Sequence, residues 1–427
     1  MTTDNSPHRD PAALHSAVSG AGATVYKSPA MRLAVARVLA GDPLDTPPAR
    51  ELSAFELEQI RRDLQTLRHT QVRDYTRGLE PGGARAAWGN ALTVLRRGST
   101  YRSRSGFGDP ATEGAMRLTL QQVAERTSPL VLAVPLGGGK AANPTKTGNN
   151  HLPDLAEWTA WTMLAALGDA LGEVLGRDVR VLTIPDAPLH TSDLAFSAAE
   201  ATAHQRQAES DLVWLGMTNV VVADTLRHLP APWPEEVRRH AEAAHKAMAI
   251  DPSTKIKADE QARSLLFSLN LRAQPASFAR HVLLTAALGD PQADLPNDVR
   301  AEAEDLRRQV ARATPHYIGV NHALRSLRVP QAVAAQVFGV EEVVRLTVHA
   351  KPGETRPALL PNGPLTRPGL LPMHGVGVLA RGDRVTFATE FEVEARVARH
   401  QPLRHGGRFL AHAAPKGGAD DRRALAA

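Results

Sequence analysis

The stretch 130-LVLAVPLGGGKAANPTKTGNNHLPDLAEW-158 carries the reading of this chain. Leu130 to Leu136 is an apolar, β-branched run of the kind that forms a buried strand. Gly137, Gly138 and Gly139 stop it, Lys140 follows, and Asn143, Lys146 and Gly148 come next. A helix then opens at Pro153-Asp154, where Asp154-Leu155-Ala156-Glu157 has the form of a capping box. Strand, polar loop and helix, in that order, is how open α/β sheets place ligands beyond the carboxyl ends of their strands. Lysine is scarce: about eight Lys stand against about forty Arg, and the two cations are not chemically interchangeable. Two of those lysines fall in this one loop, which points to a selected role.

Outward from this stretch the pattern repeats. Val179 to Ile184 reads as a second strand, ended by Pro185-Asp186-Ala187-Pro188, and Asn219 to Ala223 as a third, followed by Asp224. Upstream, Ser53 is a candidate N-cap for a helix beginning AFELEQIRRDLQTLRHT, and residues 112–127 read as a helix leading into the first strand. Residues 234 to about 340 are largely helical, with breaks at Pro252, Pro275 and Pro291. Strands follow at Val343–His349, Met373–Leu379 and Val385–Phe391, the last two forming a hairpin around Arg381-Gly382-Asp383. The expected fold is α/β: a Rossmann-like, largely parallel sheet flanked by helices, with a helical insert and a C-terminal β-hairpin. Residues 51–413 read as one catalytic domain, residues 1–50 as a flexible extension and 414–427 as a disordered tail.

Composition bounds the function. Hydrophobic content of 43% with 22% charge is that of a globular protein. No apolar run is long enough to span a bilayer, and MTTDNSPHRD lacks the apolar core of a signal peptide, so a soluble cytoplasmic enzyme is expected. The absence of Cys excludes disulfides, thiolate nucleophiles and Cys-based metal sites. A net charge of +5 invites a nucleic-acid reading, but the arginines alternate with Asp and Glu, as in 234-PEEVRRHAEAAHK, and aromatics are only 4%. That is the pattern of solvated helix faces rather than of a basic binding stripe. A nucleic-acid-binding scaffold is therefore the lesser alternative.

The polar residues offer several chemistries. A Walker A loop is excluded, because Val134 and Ala141 stand where the motif needs Gly and Ser or Thr. No GxGxxG opens a helix either. Phosphate binding by the Gly138-Gly139 backbone with Lys140 and Lys146 stays open, since a Gly-rich nest beside a helix start suits an anion. Asp154 reads first as a helix cap. Asp186 lies just beyond a strand end, where catalytic carboxylates sit, but also between two prolines, where Asp forms turns. His190 and Asp193 have the spacing of half a metal site with no obvious third ligand. In 343-VVRLTVHA, strand alternation puts Arg345, Thr347 and His349 on one face and Val344, Leu346 and Val348 on the other. An Arg-Thr-His face suits a cleft in which Arg345 clamps an anion and His349 moves protons, and His374 opens the next strand.

Taken together, the chain resembles the isocyanide (isonitrile) synthase family, the group named for pyoverdine and dityrosine biosynthesis. The resemblance rests on Lys140, Asn143, Lys146 and Gly148, then on Leu152 to Glu157, on Asp186 with Ser192-Asp193-Leu194, on Arg345-Leu346-Thr347-Val348-His349 and on Pro372-Met373-His374. It spans roughly residues 115–400, with the blocks in the family's order. Gly137-Gly138-Gly139 stand where the family has an aromatic-proline turn, Ala141 replaces a Ser and Met373 a Trp.

The resemblance implies condensation of an amino acid α-amine with ribulose 5-phosphate to give an isocyanide in secondary metabolism, without metal or redox cofactor. It implies that Lys140 and Lys146 act on the phosphosugar, Gly138, Gly139 and Asn143 help hold it, and Arg345 holds an anionic group. His349, His374 and Asp186 would transfer protons, while Asp154 organises the loop. Any iron/2-oxoglutarate oxygenase acting next would be a separate protein. Another phosphosugar/amine-condensing or C–C-cleaving enzyme on the same scaffold is the alternative.

Overall fold

The computed structural model describes residues 36, 38–40, 48–80, 83–98, 109–135, 151–193, 197–251, 278–289, 294–346, 376–380, 384–388 and 401–413. In chain order these form β1 (Arg50–Glu51), α1 (Ala54–Thr76), α2 (Ala84–Gly98), α3 (Pro110–Arg126), β2 (Leu130–Pro135), α4 (Leu155–Leu175) and β3 (Val179–Ile184). A short 3-10 turn (Ala187–His190), α5 (Ala198–Leu215), β4 (Val220–Val222), α6 (Trp233–Ile250), α7 (Phe278–Gly289), α8 (Asn297–Ser326) and α9 (Val329–Phe338) follow. Then come β5 (Val344–Arg345), β6 (Val376–Ala380), β7 (Arg384–Ala388), β8 (Gln401–His405) and β9 (Arg408–Ala413).

The expected α/β architecture is present, with a four-stranded parallel sheet in the order β4-β3-β2-β5. The apolar run at Leu130 lacks polar alternation because both faces of its strand are covered. Leu130, Leu132 and Val134 enter one core with α1, α2 and α4, while Val131 and Ala133 enter a second core with Val329 and Val333 of α9. The same alternation divides β3, with Val179 and Val181 on the first side and Leu182 and Ile184 on the second.

Helix α4 is the centre of the first core. Every residue from Leu155 to Leu171 except Asp169 is buried, so this helix is apolar all round rather than striped. Each fully buried Leu, Met or Trp is worth about 1.5–3 kcal/mol, against about 1 kcal/mol for each helical Gly, so burial outweighs the cost of Gly168 and Gly172. Asp169 is satisfied at the rim, where Arg68 of α1 donates to both its oxygens at 2.6 and 3.0 Å and Asn219 donates at 2.8 Å.

The expected hairpin of β6 and β7 is also present, pairing Val376 with Ala388 through Ala380 with Arg384. It belongs to a second, mixed sheet, β1-β8-β9-β6-β7, which includes a hairpin of β8 and β9 that sequence reading left out. Helix α2 was also unread. Leu403, Leu410 and Ala411 join this second sheet to the first core, and one charged group ties it there as well. Asp211 of α5, 5% exposed, accepts from Arg408 Nη1 of β9 at 3.0 and 3.1 Å, from Trp158 Nε1 of α4 at 2.6 Å and from Gln207 at 2.8 Å. The Arg408 guanidinium also lies 5.2 Å from the centre of the Trp158 ring, a cation–π distance.

The helical insert packs α6 against α8 at close range. A Cβ on Gly319 of α8 would stand 2.6 Å from the Val237 carbonyl oxygen and 2.9 Å from the Ala241 nitrogen, both backbone atoms of α6. Only glycine fits there. Gly319→Ala should therefore cost about 1–3 kcal/mol by overpacking, read as a lower urea midpoint at unchanged slope. Arg408→Met should cost more, about 3–5 kcal/mol, because it strands the Asp211 carboxylate in the core. The same urea titration checks both, and a smaller loss for Arg408→Met than for Gly319→Ala would show that Asp211 does not depend on its arginine.

Candidate functional site

Residues far apart in the chain meet at the carboxyl end of the parallel sheet. β2 and β5 are adjacent, with Leu132 opposite Val344 and Ala133 opposite Arg345, and the Leu346 N–H donates to the Ala133 carbonyl at 2.8 Å. The chain thus leaves β2 at Pro135 and β5 at Leu346 from neighbouring positions. Helix α4 runs back from that end to feed β3, so its start lies there as well. Asp154, 1% exposed, caps it: its side chain accepts from the Ala156 N–H at 2.7 Å, and its own N–H donates to Glu157 Oε2 at 3.0 Å. The capping box read in the sequence is present. β6 crosses the same helix start, because a Cβ on Gly377 would stand 3.2 Å from Leu155 Cβ. His374 is three positions upstream of that contact.

Of the residues singled out in the sequence, Asp154, Asp186 and Arg345 are described. Gly138, Gly139, Lys140, Asn143, Lys146, His349 and His374 lie outside the described residues. Arg345 sits on the side of β5 opposite Val344 and Leu346, which are both buried in the first core, as the strand alternation requires. It lines a cavity of about 290 Å³ along the outer edge of β5, shared with Gln122 and Arg126 of α3 and with Gln331 and Glu342. The wall combines these two guanidinium groups and one carboxylate with Met116, Val123, Val343 and Val344.

The turn after β3 holds a cluster that the sequence showed only by half. Asp186 begins the 3-10 turn and Leu189 N–H donates to its carbonyl at 2.9 Å, so the turn-forming role of this Asp is real. Asp193, 4% exposed, receives two imidazoles: His190 Nδ1 at 3.3 Å from one oxygen, and His316 Nδ1 of α8 at 2.9 and 3.1 Å. The His190 ring, 2% exposed, also packs against Tyr317 with centres 4.6 Å apart. Ser192 Oγ lies 3.5 Å from both Asp193 and His316.

The electrostatics follow from this geometry. Burial works to raise the Asp193 pKa, but hydrogen bonds from His190 and His316 and the charge these rings carry outweigh it, and the carboxyl stays below its usual range. The hydrogen bond to Asp193 in turn raises the His316 pKa against the effect of partial burial. Burial, helped by the Asp186 charge, raises the Tyr317 phenol. His190 and Asp193 have the spacing of a half metal site, yet both imidazoles turn Nδ1 to the same carboxylate at hydrogen-bond distance. Among the described residues no group of three or more His, Asp or Glu is arranged to hold a metal. His316 and Tyr317 were missed in the sequence because no spacing connects them to a turn more than a hundred positions earlier. His190-x-x-Asp193 was the only readable half.

No protein-family model matches the chain, and no curated protein does. Among solved structures, the crystal structure of the PvcA protein from Pseudomonas aeruginosa is similar at 14% identity with a TM-score of 0.54, over 76% of this chain and 100% of that one. At that identity the likeness speaks to the fold. The chain therefore has a PvcA-like α/β fold, with a parallel four-stranded sheet and a mixed sheet that carries the C-terminal β6–β7 hairpin.

Proposed function

We propose that the protein is an isonitrile synthase-like enzyme that condenses the α-amine of an amino acid with ribulose 5-phosphate to form an isocyanide. One observation carries the reading: β2 and β5 are neighbours in register, with the start of α4 and β6 at the same sheet end. The described parts of the blocks that resemble the isocyanide synthase family, Leu152 to Glu157 at the start of α4 and Arg345-Leu346 at β5, flank β2, which supports the reading. The PvcA-like scaffold supports the same assignment.

The chemistry sets the roles. A phosphate needs fixed donors and cations, which the backbone at Gly138 and Gly139 with Lys140 and Lys146 would supply. Asn143 would hold the sugar hydroxyls. Arg345 would clamp an anionic group through a planar, bidentate contact. Attack of the amine on the sugar ketone, loss of water, and the later cleavage and elimination of the remaining sugar carbons each move protons. Asp186, His349 and His374 would serve there as acids and bases. Asp154, locked as a helix cap, would fix where the lysine loop rejoins the fold. No helix among the described residues is long and apolar enough to cross a membrane. We place the enzyme in the cytoplasm, acting on small molecules, with any iron/2-oxoglutarate oxygenase of the pathway as a separate protein.

Ribulose 5-phosphate at about 100 times its Kd should stabilise the folded protein by roughly 2.7 kcal/mol, visible as a raised melting temperature, while random DNA should not. Incubation of the sugar phosphate with a panel of amino acids should give the isonitrile infrared stretch with one of them. Sugar consumed without that stretch would instead identify an amine-condensing or C–C-cleaving enzyme on this scaffold. Lys140→Ala should lower turnover by about 10²-fold, the scale of losing one fixed electrostatic contact to the reacting group. Turnover at the parent rate would remove Lys140 from the mechanism.

A further inference from the structure

The turn after β3 places a paired acid–base device at the carboxyl end of the sheet; Asp193 falls in one of the family-like blocks, and neither it nor its partners has been given a role. Its components are Asp193, His190, His316 and Tyr317. Asp193 is buried and bound to the Nδ1 atoms of two imidazoles. The two rings then differ sharply in access. His190 is enclosed, with its side chain 3% exposed and its ring against Tyr317, whereas the His316 side chain is 42% exposed. In an imidazole the two nitrogens lie on opposite sides of the ring. A ring anchored through Nδ1 presents Nε2 away from the anchor, and the His316 side chain is the accessible one of the two.

We propose that His316 is a general acid of the site at the carboxyl end of the parallel sheet, and that Asp193 is its positioning residue. A carboxylate on Nδ1 fixes the tautomer and the ring plane and favours the imidazolium, as in other carboxylate–histidine pairs. Asp193 is also bonded by His190, at the same Oδ2 that lies nearest His316, so the carboxylate cannot rotate away without losing two partners. The titratable groups facing His316 are Asp193 and, behind it, His190 on the turn, Asp186 at the start of that turn, and Tyr317 beside it on α8. The nearest acts in the same direction as the geometry, since the Asp193 carboxylate raises the His316 pKa above its ordinary value of 6.5. The proton sits on Nε2 of the imidazolium. It passes to the departing oxygen as the carbon–oxygen bond breaks, so that water or an alcohol leaves, and the neutral ring keeps its Nδ1–H on Asp193. The substrate side of this role rests on the ribulose 5-phosphate reading above, because imine formation from a ketone expels a hydroxyl that needs such a proton.

Three proteins test it: the parent, His316→Gln and Asp193→Asn. Each is followed by thermal melting, by the pH dependence of sugar-phosphate consumption, and by NMR titration of the histidine imidazoles. A general acid must be protonated, so parent activity falls as pH rises through the His316 pKa. Asp193→Asn should shift that fall to lower pH and move the His316 titration the same way, while the protein still melts cooperatively. His316→Gln, at a part-exposed position, should melt near the parent temperature, abolish that limb and lower the rate by about 10²–10⁴-fold. A His316 titration unmoved by Asp193→Asn overturns the positioning role, and an unchanged rate and pH profile in His316→Gln overturns the acid. A parent protein inert to ribulose 5-phosphate with every amino acid, but showing the expected imidazole titrations, sinks the substrate reading alone and leaves the Asp193–His316 pair supported.

Discussion

The position of β2 between two parallel neighbours is the constraint from which the site follows. A strand paired on both edges and covered on both faces cannot present polar side chains along its length, so LVLAVP is apolar throughout. Polarity is pushed to where the strand ends. Because β3 and β5 run parallel to β2, their ends meet its end, and their following segments start from the same rim. Asp186 and Arg345 arrive there from positions about 160 residues apart. The parallel register sets both on the strands that flank β2, one on each side of it.

Much of this was legible in the chain itself. Period and punctuation located β2, β3, β4 and the crossover helix α4 to within a residue or so, since long apolar runs ended by Gly, Pro or a capping box leave few alternatives. The Asp154 cap was readable for the same reason: its partner, Glu157, is three positions away. What escaped reading was non-local or weakly patterned. Helix α2 contains Gly89 and Thr93 and follows Pro81-Gly82-Gly83, so loop signals outweighed its amphipathic spacing. The β8–β9 hairpin carries the Gly406-Gly407 pair, with φ of +58° and +76°. That dipeptide marks a two-residue hairpin loop, but the flanking strands hold Arg and His at positions that look polar. Arg408 is buried because it finds Asp211, a partner no local pattern could reveal.

The site shows the same division. Asp193 was visible as one member of a His-x-x-Asp pair, with the spacing of half a metal site and no obvious third ligand. The third group is His316, and it changes the chemistry rather than completing the coordination. Two Nδ1 atoms directed at one carboxylate make hydrogen-bonded pairs, and the nitrogens a metal would need point elsewhere. A sequence motif names the residue types, while the orientation of each ring decides between ligation and proton transfer.

The tie between Arg408 and Asp211 also bears on the order in which the chain can fold. Three of the four strands of the parallel sheet precede residue 223, yet the carboxylate at the heart of that assembly gains its counterion only from β9, nearly two hundred positions later. Until that arginine emerges, a nascent chain holds an uncompensated negative charge beside Trp158. Trp158 and Gln207 give that carboxylate hydrogen bonds but no opposite charge, so the charge in the first core is balanced only where the second sheet closes over it.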